Sequence, residues 1–307
     1  MLVGDLLMQK FDLIVIGAGP AGLTCGIYAT RANLKTLIID NQAPGGQVNL
    51  TEKIDNYPGL LNVGGFELGE KMHEHAVALG VEEVFDNIVE MNLLGDVKTI
   101  KTEYSGEFCA RAVVVATGAS PRKLNAKNEE KFIGHGVGYC ATCDGAFSKG
   151  KDVAVVGGGN AAVEEALYLA RIARHVDVFH ILNQFQCNKV LESQLLNTKN
   201  ITVHYCTQVK ELLGDKKLSG CLVEENGHEK TYDVEGLFVS IGRVPNSGMF
   251  EGFERDKQGY FVVGENLETS VPGVFVAGDV RQKVLRQIVT ACADGAIAAS
   301  EVAKYLL

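Results

Sequence analysis

Short apolar runs in this chain stop at glycines and resume as other elements. Residues 11–16, FDLIVI, form an apolar strand that runs into Gly17-Ala18-Gly19-Pro20-Ala21-Gly22. A helical stretch follows, and a second apolar strand ends at Asp40. Gly17 permits the tight turn, Gly19 lets the backbone approach a pyrophosphate, and Gly22 allows the helix to pack closely on the sheet. Asp40 lies 23 positions after Gly17, well placed for a ribose hydroxyl. Strand, glycine turn, helix, strand and acid together predict a dinucleotide site.

The same pattern begins again 140 residues later, where strand 153–156 leads into Gly157-Gly158-Gly159-Asn160-Ala161-Ala162 and a helix. This is an internal repeat of architecture, and it can keep the fold without binding a dinucleotide. Between the copies, ARAVVVATGASPRKL predicts a strand ending in Ala116-Thr117-Gly118. Near the end, VPGVFVAGDV predicts a strand into Gly278-Asp279, with a helix beginning near Gln287. A carboxylate and a helix N-terminus there could hold the ribityl and phosphate portion of a flavin, although on composition alone each of these turns could be only a loop.

Composition narrows the class. The 307 residues are 46% apolar and 22% charged, as in a globular protein, with 35 glycines, 6 prolines and no tryptophan. That length suits two domains. Net charge is 29 − 38 = −9, which argues against nucleic acid as a partner. No apolar run reaches the length of a membrane span. The first residues lack a basic region and lead straight into the first strand, so they are predicted to be mature structure rather than a signal peptide. Eight cysteines are scattered singly apart from one pair, unlike a secreted disulfide framework, and the expected compartment is a reducing cytoplasm. Cys25 and Cys292, among small apolar residues on the first and last helices, are expected to be buried as small hydrophobes.

The pair is Cys140 and Cys143, in GYCATCDGAF. A zinc site would need two further ligands; His135 is near, but there is no second CxxC. A static bridge across four residues would restrain little chain entropy. A redox dithiol needs close sulfurs, a lowered thiolate pKa and a proton source, and Asp144 can supply the last. Redox chemistry is the expectation.

These pieces together resemble the low-molecular-weight, bacterial-type thioredoxin reductases over nearly the whole chain. The resemblance rests on GAGPAG at 17–22, APGGQ at 43–47, NYPG at 56–59, ATGA at 116–119, CATCDGAF at 140–147, GGGNAAVEEALYLA at 157–170, AGDV at 277–280 and the RQ pair at 286–287. It implies an α/β fold of two Rossmann-like domains, one inserted in the other. An FAD-binding domain would take 1–117 and 246–307, and an NAD(P)H-like domain carrying the CxxC would take 118–245. By the same resemblance, FAD would be held by Gly17, Gly19, Pro20, Ala21, Gly22, Asp40, Gly45, Gly46, Gln47, Asn56, Ala116, Thr117, Gly118, Gly278, Asp279, Arg286 and Gln287. No metal is expected. The resemblance also implies a homodimer, a rotation between domains, and thioredoxin as the protein substrate. Cys143 would meet the flavin, Cys140 would attack thioredoxin's disulfide, and Asp144 would act as general acid.

One stretch departs from the family. NADPH-using relatives carry an HRRxxFR-like run whose arginines clamp the 2′-phosphate; here it reads VFHILNQFQCNK. His180 and Phe185 keep their places, but Ile181, Leu182 and Gln186 stand where the arginines would be. Losing two or three charge-assisted hydrogen bonds removes on the order of 3–6 kcal/mol, enough to turn micromolar binding into millimolar. NADH would want an acid at the strand end, and His180 is there instead, with Asp177 too early in the strand. His180 is expected to be a packed or surface histidine rather than a ribose reader. A one-electron iron–sulfur carrier is chemically able to reduce a flavin. The chain is similar to the ferredoxin-dependent flavin thioredoxin reductases, so reduced ferredoxin is the expected donor and NADPH or NADH the alternative. Arg122, Lys123, Arg171 and Arg174 are basic residues that could face an acidic ferredoxin. A flavin-dependent dithiol oxidase and a flavin-bound scaffold or sensor are the competing functions.

Overall fold

The computed structural model describes residues 8–51 and 53–307. The start of the chain, expected above to be mature structure, lies outside the described residues up to position 7. The chain divides into two units. The first takes the described residues up to Asn49, with Tyr57–Ser120 and Val244–Leu307; the second takes Leu50–Asn56 and Pro121–Arg243. Crossings at 120/121 and 243/244 fall within three residues of those expected. Residues 50–56, placed above with the flanking domain, group with the inserted one.

In the first unit, strands rich in Val, Ile and Leu pair in parallel because both faces of the sheet are covered. The order across the sheet is Glu82–Phe85, Thr36–Asp40, Gln9–Ile16, Glu107–Val115, then the antiparallel Lys98–Thr102 and Ile88–Asn92. Val274–Val276, from the far end of the chain, pairs in parallel with Glu107–Val115. Helix Pro20–Arg31 starts with proline at its first position, where the missing N–H costs nothing. Helix Ile288–Leu306 packs on it, and contact is so close that a Cβ on Gly295 would stand 2.2 Å from the carbonyl oxygen of Ala21. Ile14, Ile16, Leu37, Ile39, Val113, Val115, Val274 and Val276 fill one core, and each buried side chain of this size contributes about 2 kcal/mol.

The second unit repeats the scheme. Its parallel sheet runs Ile201–His204, His175–Phe179, Asp152–Val156, Gly236–Val239 and Val137–Gly138, with helix Asn160–Leu169 after the glycine turn. An antiparallel sheet of Thr207–Gly214, Leu218–Glu225 and His228–Tyr232 covers one core, built on Phe132, Phe179, Leu212, Val223 and Leu237. No helix among the described residues is long and apolar enough to cross a membrane.

One loop of the first unit depends on a carboxylate. Asp86 accepts hydrogen bonds from the backbone N–H groups of Asn87 at 2.7 Å, Tyr104 at 2.8 Å and Ser105 at 2.7 Å. Burial alone would raise its pKa, but the Tyr104 and Ser105 amides outweigh it and lower the carboxyl to about 2. A folded-state pKa below the ordinary 3.8 means this stability is complete above that value and is lost as pH falls through about 2. Asp86→Asn should therefore melt below the parent at neutral pH, and the gap should close on acidification through that window; thermal melts across the range check it.

Candidate functional site

Four turns, far apart in sequence, meet in the first unit. Gly17 is at φ 112°, and a Cβ there would stand 2.4 Å from the oxygen of Ala116, in the Ala116-Thr117-Gly118 turn. A Cβ on Gly22 would lie 1.8 Å from the oxygen of Gly17, so strand end and helix start pack backbone on backbone. Gly45 donates its N–H to Ala18 O at 2.8 Å, and Gly46 faces the Cα of Gly19. Gly278, at φ 82°, faces Ala21. At Gly19, by contrast, a Cβ would meet nothing within 4 Å: the backbone there is open, as a bound pyrophosphate requires.

The cradle thus fits a flavin dinucleotide such as FAD, and several expected residues have additional structural jobs. Asp40 accepts from Ala18 N at 2.6 Å and from Gln42 N at 2.9 Å, so its carboxylate first fixes the glycine loop. Each oxygen keeps a further lone pair for a ligand hydroxyl. Arg286 stacks over Tyr260 at 4.1 Å and reaches the carbonyls of Asp279, Lys283 and Arg281. Gln287 is the N-cap of the last helix, which starts at Ile288, one residue beyond the expected start. Pro20 and Ala21 begin the first helix, and Gln47 is exposed in the turn between 43 and 50. Asn56 is exposed and belongs to the segment grouped with the second unit, not to the cofactor unit in which it was expected.

Three bracing residues escaped the sequence reading. The side-chain amide of Asn49 donates to Pro44 O at 2.8 Å and lies against Gly45 and Gly69. Asn246 donates to Thr117 O at 2.8 Å while its own carbonyl accepts from the Thr117 hydroxyl at 2.7 Å. Asp294, buried on the last helix, accepts from Gly278 N at 3.0 Å, from Arg281 at 2.9 and 2.8 Å, and from Lys283 at 2.8 Å. No local pattern marks any of them. Cys25 is fully buried as expected, and burial pushes its thiol up to about 12. Cys292, expected alike, is half-buried, with its sulfur 3.9 Å from the Tyr57 oxygen.

In the second unit, Cys140 and Cys143 are joined by a disulfide with Cα atoms 5.3 Å apart. The bonded pair is the oxidised form that a redox dithiol requires. The turn Ala141–Asp144 is closed by Cys143 N and Asp144 N, both donating to Cys140 O at 3.2 and 3.1 Å. Before it, Tyr139 donates its hydroxyl to Glu129 at 2.6 Å, and buried Glu129 also accepts from Leu124 N and Asn125 N. Asp144 lies across Gly138, where a Cβ would come within 3.2 Å of its carboxylate. Behind the loop, Glu165 accepts from the Ala141 N–H, and burial pushes its carboxyl up to about 7. The sequence reading missed it as well.

The second glycine turn is intact in shape. Gly157 is at φ 147°, and Gly159 faces open space. Over Gly158 lies the His180 ring, stacked on Phe185 at 5.5 Å, with Nε2 donating to Gln184 O at 2.9 Å. This is the packed histidine expected from the sequence. Asp177 is engaged with His204 at 2.7 Å. Where arginines would clamp a phosphate, Ile181 is 61% and Leu182 41% exposed. Gln186 is exposed too, and its backbone N–H donates to Gly158 O at 2.8 Å. Lys189, the next cation along the chain, is paired with Glu192 at 2.6 Å.

Replacing Asp294 by Asn should leave Arg281 and Lys283 as uncompensated, partly buried cations, costing about 2–3 kcal/mol. A lower thermal midpoint and earlier release of bound flavin fluorescence are the expected readouts.

The chain matches the family model for pyridine nucleotide-disulphide oxidoreductases over residues 11–295. It is 42% identical over 300 residues to the thioredoxin reductase of Bacillus subtilis (strain 168), covering 96% of this chain and 95% of that one. A Clostridium pasteurianum relative named as a 34.2 kDa protein in the rubredoxin operon is 40% identical over 302 residues, covering 97% and 98%. Among solved structures, the thioredoxin reductase of Streptococcus pyogenes MGAS5005 superimposes with a TM-score of 0.92 at 41% identity, covering 97% of this chain and 98% of that one. With its two Rossmann-like sheets, its open glycine cradle and its paired cysteines, the chain belongs to the pyridine nucleotide-disulphide oxidoreductases and, among them, to the low-molecular-weight thioredoxin reductases.

Proposed function

We propose that this FAD-dependent thioredoxin reductase takes its electrons from reduced ferredoxin rather than from NADPH, and passes them through Cys140 and Cys143 to thioredoxin. FAD, the cofactor of the family, accepts electrons singly or in pairs when bound, so it can join a one-electron donor to a two-electron dithiol. Residues of the glycine cradle, with Asp40, Asp279 and the Arg286-Gln287 pair, would hold it. The remaining chemistry belongs to the chain. Cys140, as thiolate, attacks thioredoxin's disulfide; a mixed disulfide forms and one thioredoxin sulfur leaves as thiolate. Cys143 then attacks Cys140, releasing the second thioredoxin sulfur and re-forming the Cys140–Cys143 bond. Thioredoxin gains two electrons and two protons, and the dithiol loses two electrons. When two electrons open the Cys140–Cys143 bond, one loop sulfur would be released as thiolate, and Asp144 is the acid that protonates it. A homodimer in a reducing cytoplasm is part of the same reading, carried by the family resemblance.

The observation that carries the choice of donor is the exposure of Ile181 and Leu182 in the stretch that would clamp a 2′-phosphate. A phosphate there would be desolvated against apolar side chains with no cation to receive it. Of the four basic residues suggested for docking, Arg174 is paired with Asp152 at 2.6 Å and Lys123 with Glu130, while Arg122 and Arg171 are exposed.

The test is anaerobic mixing of the oxidised holoprotein with NADPH, NADH or enzymatically reduced ferredoxin, following the flavin's visible band. Bleaching by ferredoxin alone is expected; rapid bleaching at micromolar NADPH would overturn the donor. Changing Ile181, Leu182 and Gln186 together to Arg should raise the reactivity with NADPH by about tenfold or more. Separately, Cys140→Ser should abolish thioredoxin reduction, and turnover at the parent rate would sink the dithiol mechanism.

A further inference from the structure

A shielded carboxyl behind the redox loop has no role in the mechanism above. Glu165, on helix Asn160–Leu169, accepts a hydrogen bond from the backbone N–H of Ala141, the residue after Cys140, and another from the Ser240 hydroxyl. Its Oε2 is closed off from solvent and has no hydrogen-bond partner among the described residues. The charged groups that act on it are Asp144, from the redox loop, and Arg243, after strand Gly236–Val239. A structural brace for one amide needs a single acceptor oxygen. A carboxyl with its second oxygen buried and bare is an expensive way to provide it, unless that oxygen carries a proton.

We propose that Glu165 is a positioning residue of the redox loop that shares proton affinity with Asp144, holding the Ala141 amide while its own charge state sets how readily Asp144 yields a proton to sulfur. The inference rests on the reading of Asp144 as the loop's acid. Carboxyls whose charges act on one another, as those of Asp144 and Glu165 do, do not ionise independently. Burial, opposed by the Ala141 and Ser240 hydrogen bonds and by Arg243 and assisted by Asp144, pushes the Glu165 carboxyl up to about 7. When Asp144 gives its proton to a loop thiolate, the sulfur becomes a thiol and the charge moves to Asp144. That new charge raises the proton affinity of Glu165, which then takes up a proton and limits the negative charge in the loop. Below neutrality Glu165 is protonated and Asp144 ionises more easily; above it, the Glu165 charge holds the Asp144 proton more tightly.

The experiment reads the rate at which iodoacetamide alkylates the chemically reduced holoprotein as a function of pH, with the modified cysteine located by mass spectrometry. The parent should show a broad profile with one limb near pH 7. Glu165→Gln keeps the acceptor for Ala141 N–H but cannot titrate; its profile should narrow to one limb and move to lower pH, changing the neutral rate by about threefold or more, a half-unit shift. Glu165→Asp should restore the broad profile in part. A readout that needs no substitution is also available: infrared difference spectra of the parent protein should show a protonated carboxyl band that titrates near neutrality, and its absence would overturn the proposal. Asp144→Asn separates the two readings. If it moves the profile and Glu165→Gln does not, the Glu165 proposal alone falls; if neither moves it, the role of Asp144 falls as well.

Discussion

The first unit depends on a backbone contact between its two chain ends. Helix Ile288–Leu306 lies against helix Pro20–Arg31 so closely that only glycine fits at position 295. That contact returns the last part of the chain to the first. It sets the turn at Gly278 against Ala21 and adds Val274–Val276 to the sheet. Together with the pairing of Val274–Val276 on Glu107–Val115, it fixes the turn at 277–280 against the turn at 17–22. Asp294 reinforces the junction from the same helix. Its buried charge is offset by Arg281 and Lys283, and its hydrogen bond to Gly278 makes the turn part of the helix rather than an appendage.

The redox loop meets a different demand, because its bond must open and close without displacing its surroundings. Rigid support comes from both sides. Tyr139 is anchored to Glu129, whose carboxylate is buried yet satisfied by two amides and a phenol. Ala141 is anchored to Glu165 on a helix packed against Gly145. The cysteines themselves are partly exposed. A short, exposed turn held between buried anchors keeps the sulfurs accessible while their backbone stays in place.

In the second glycine turn, shape is held by packing within the fold. Glycines at 157 and 158 are required by the Ser240 carbonyl and the His180 ring that crowd them, so packing by itself is enough to keep the turn's shape. The side chains at 181 and 182 are exposed, and apolar residues stand there at little cost to stability. Such a repeat keeps its fold through its own contacts, and the fold alone does not fix which ligand it takes.

The sequence by itself determined the parts whose physics is local. Strands 11–16 and 153–156, the glycine turns after them, the paired cysteines and the missing arginines are all set within a few residues of themselves, and each was legible. Asn49, Glu165, Asn246 and Asp294 were not, because nothing in their neighbours distinguishes them. Asp294 acts on Gly278, 16 positions back along the chain, and Asn246 acts on Thr117, 129 positions away, a role that exists only once the fold has brought those two segments together. Asn56 shows the converse: its motif suggested one domain, and packing placed its segment with the other. Tertiary structure decided which distant side chains would satisfy the turns' exposed N–H and C=O groups, since a buried polar group takes whatever partner the fold brings within reach.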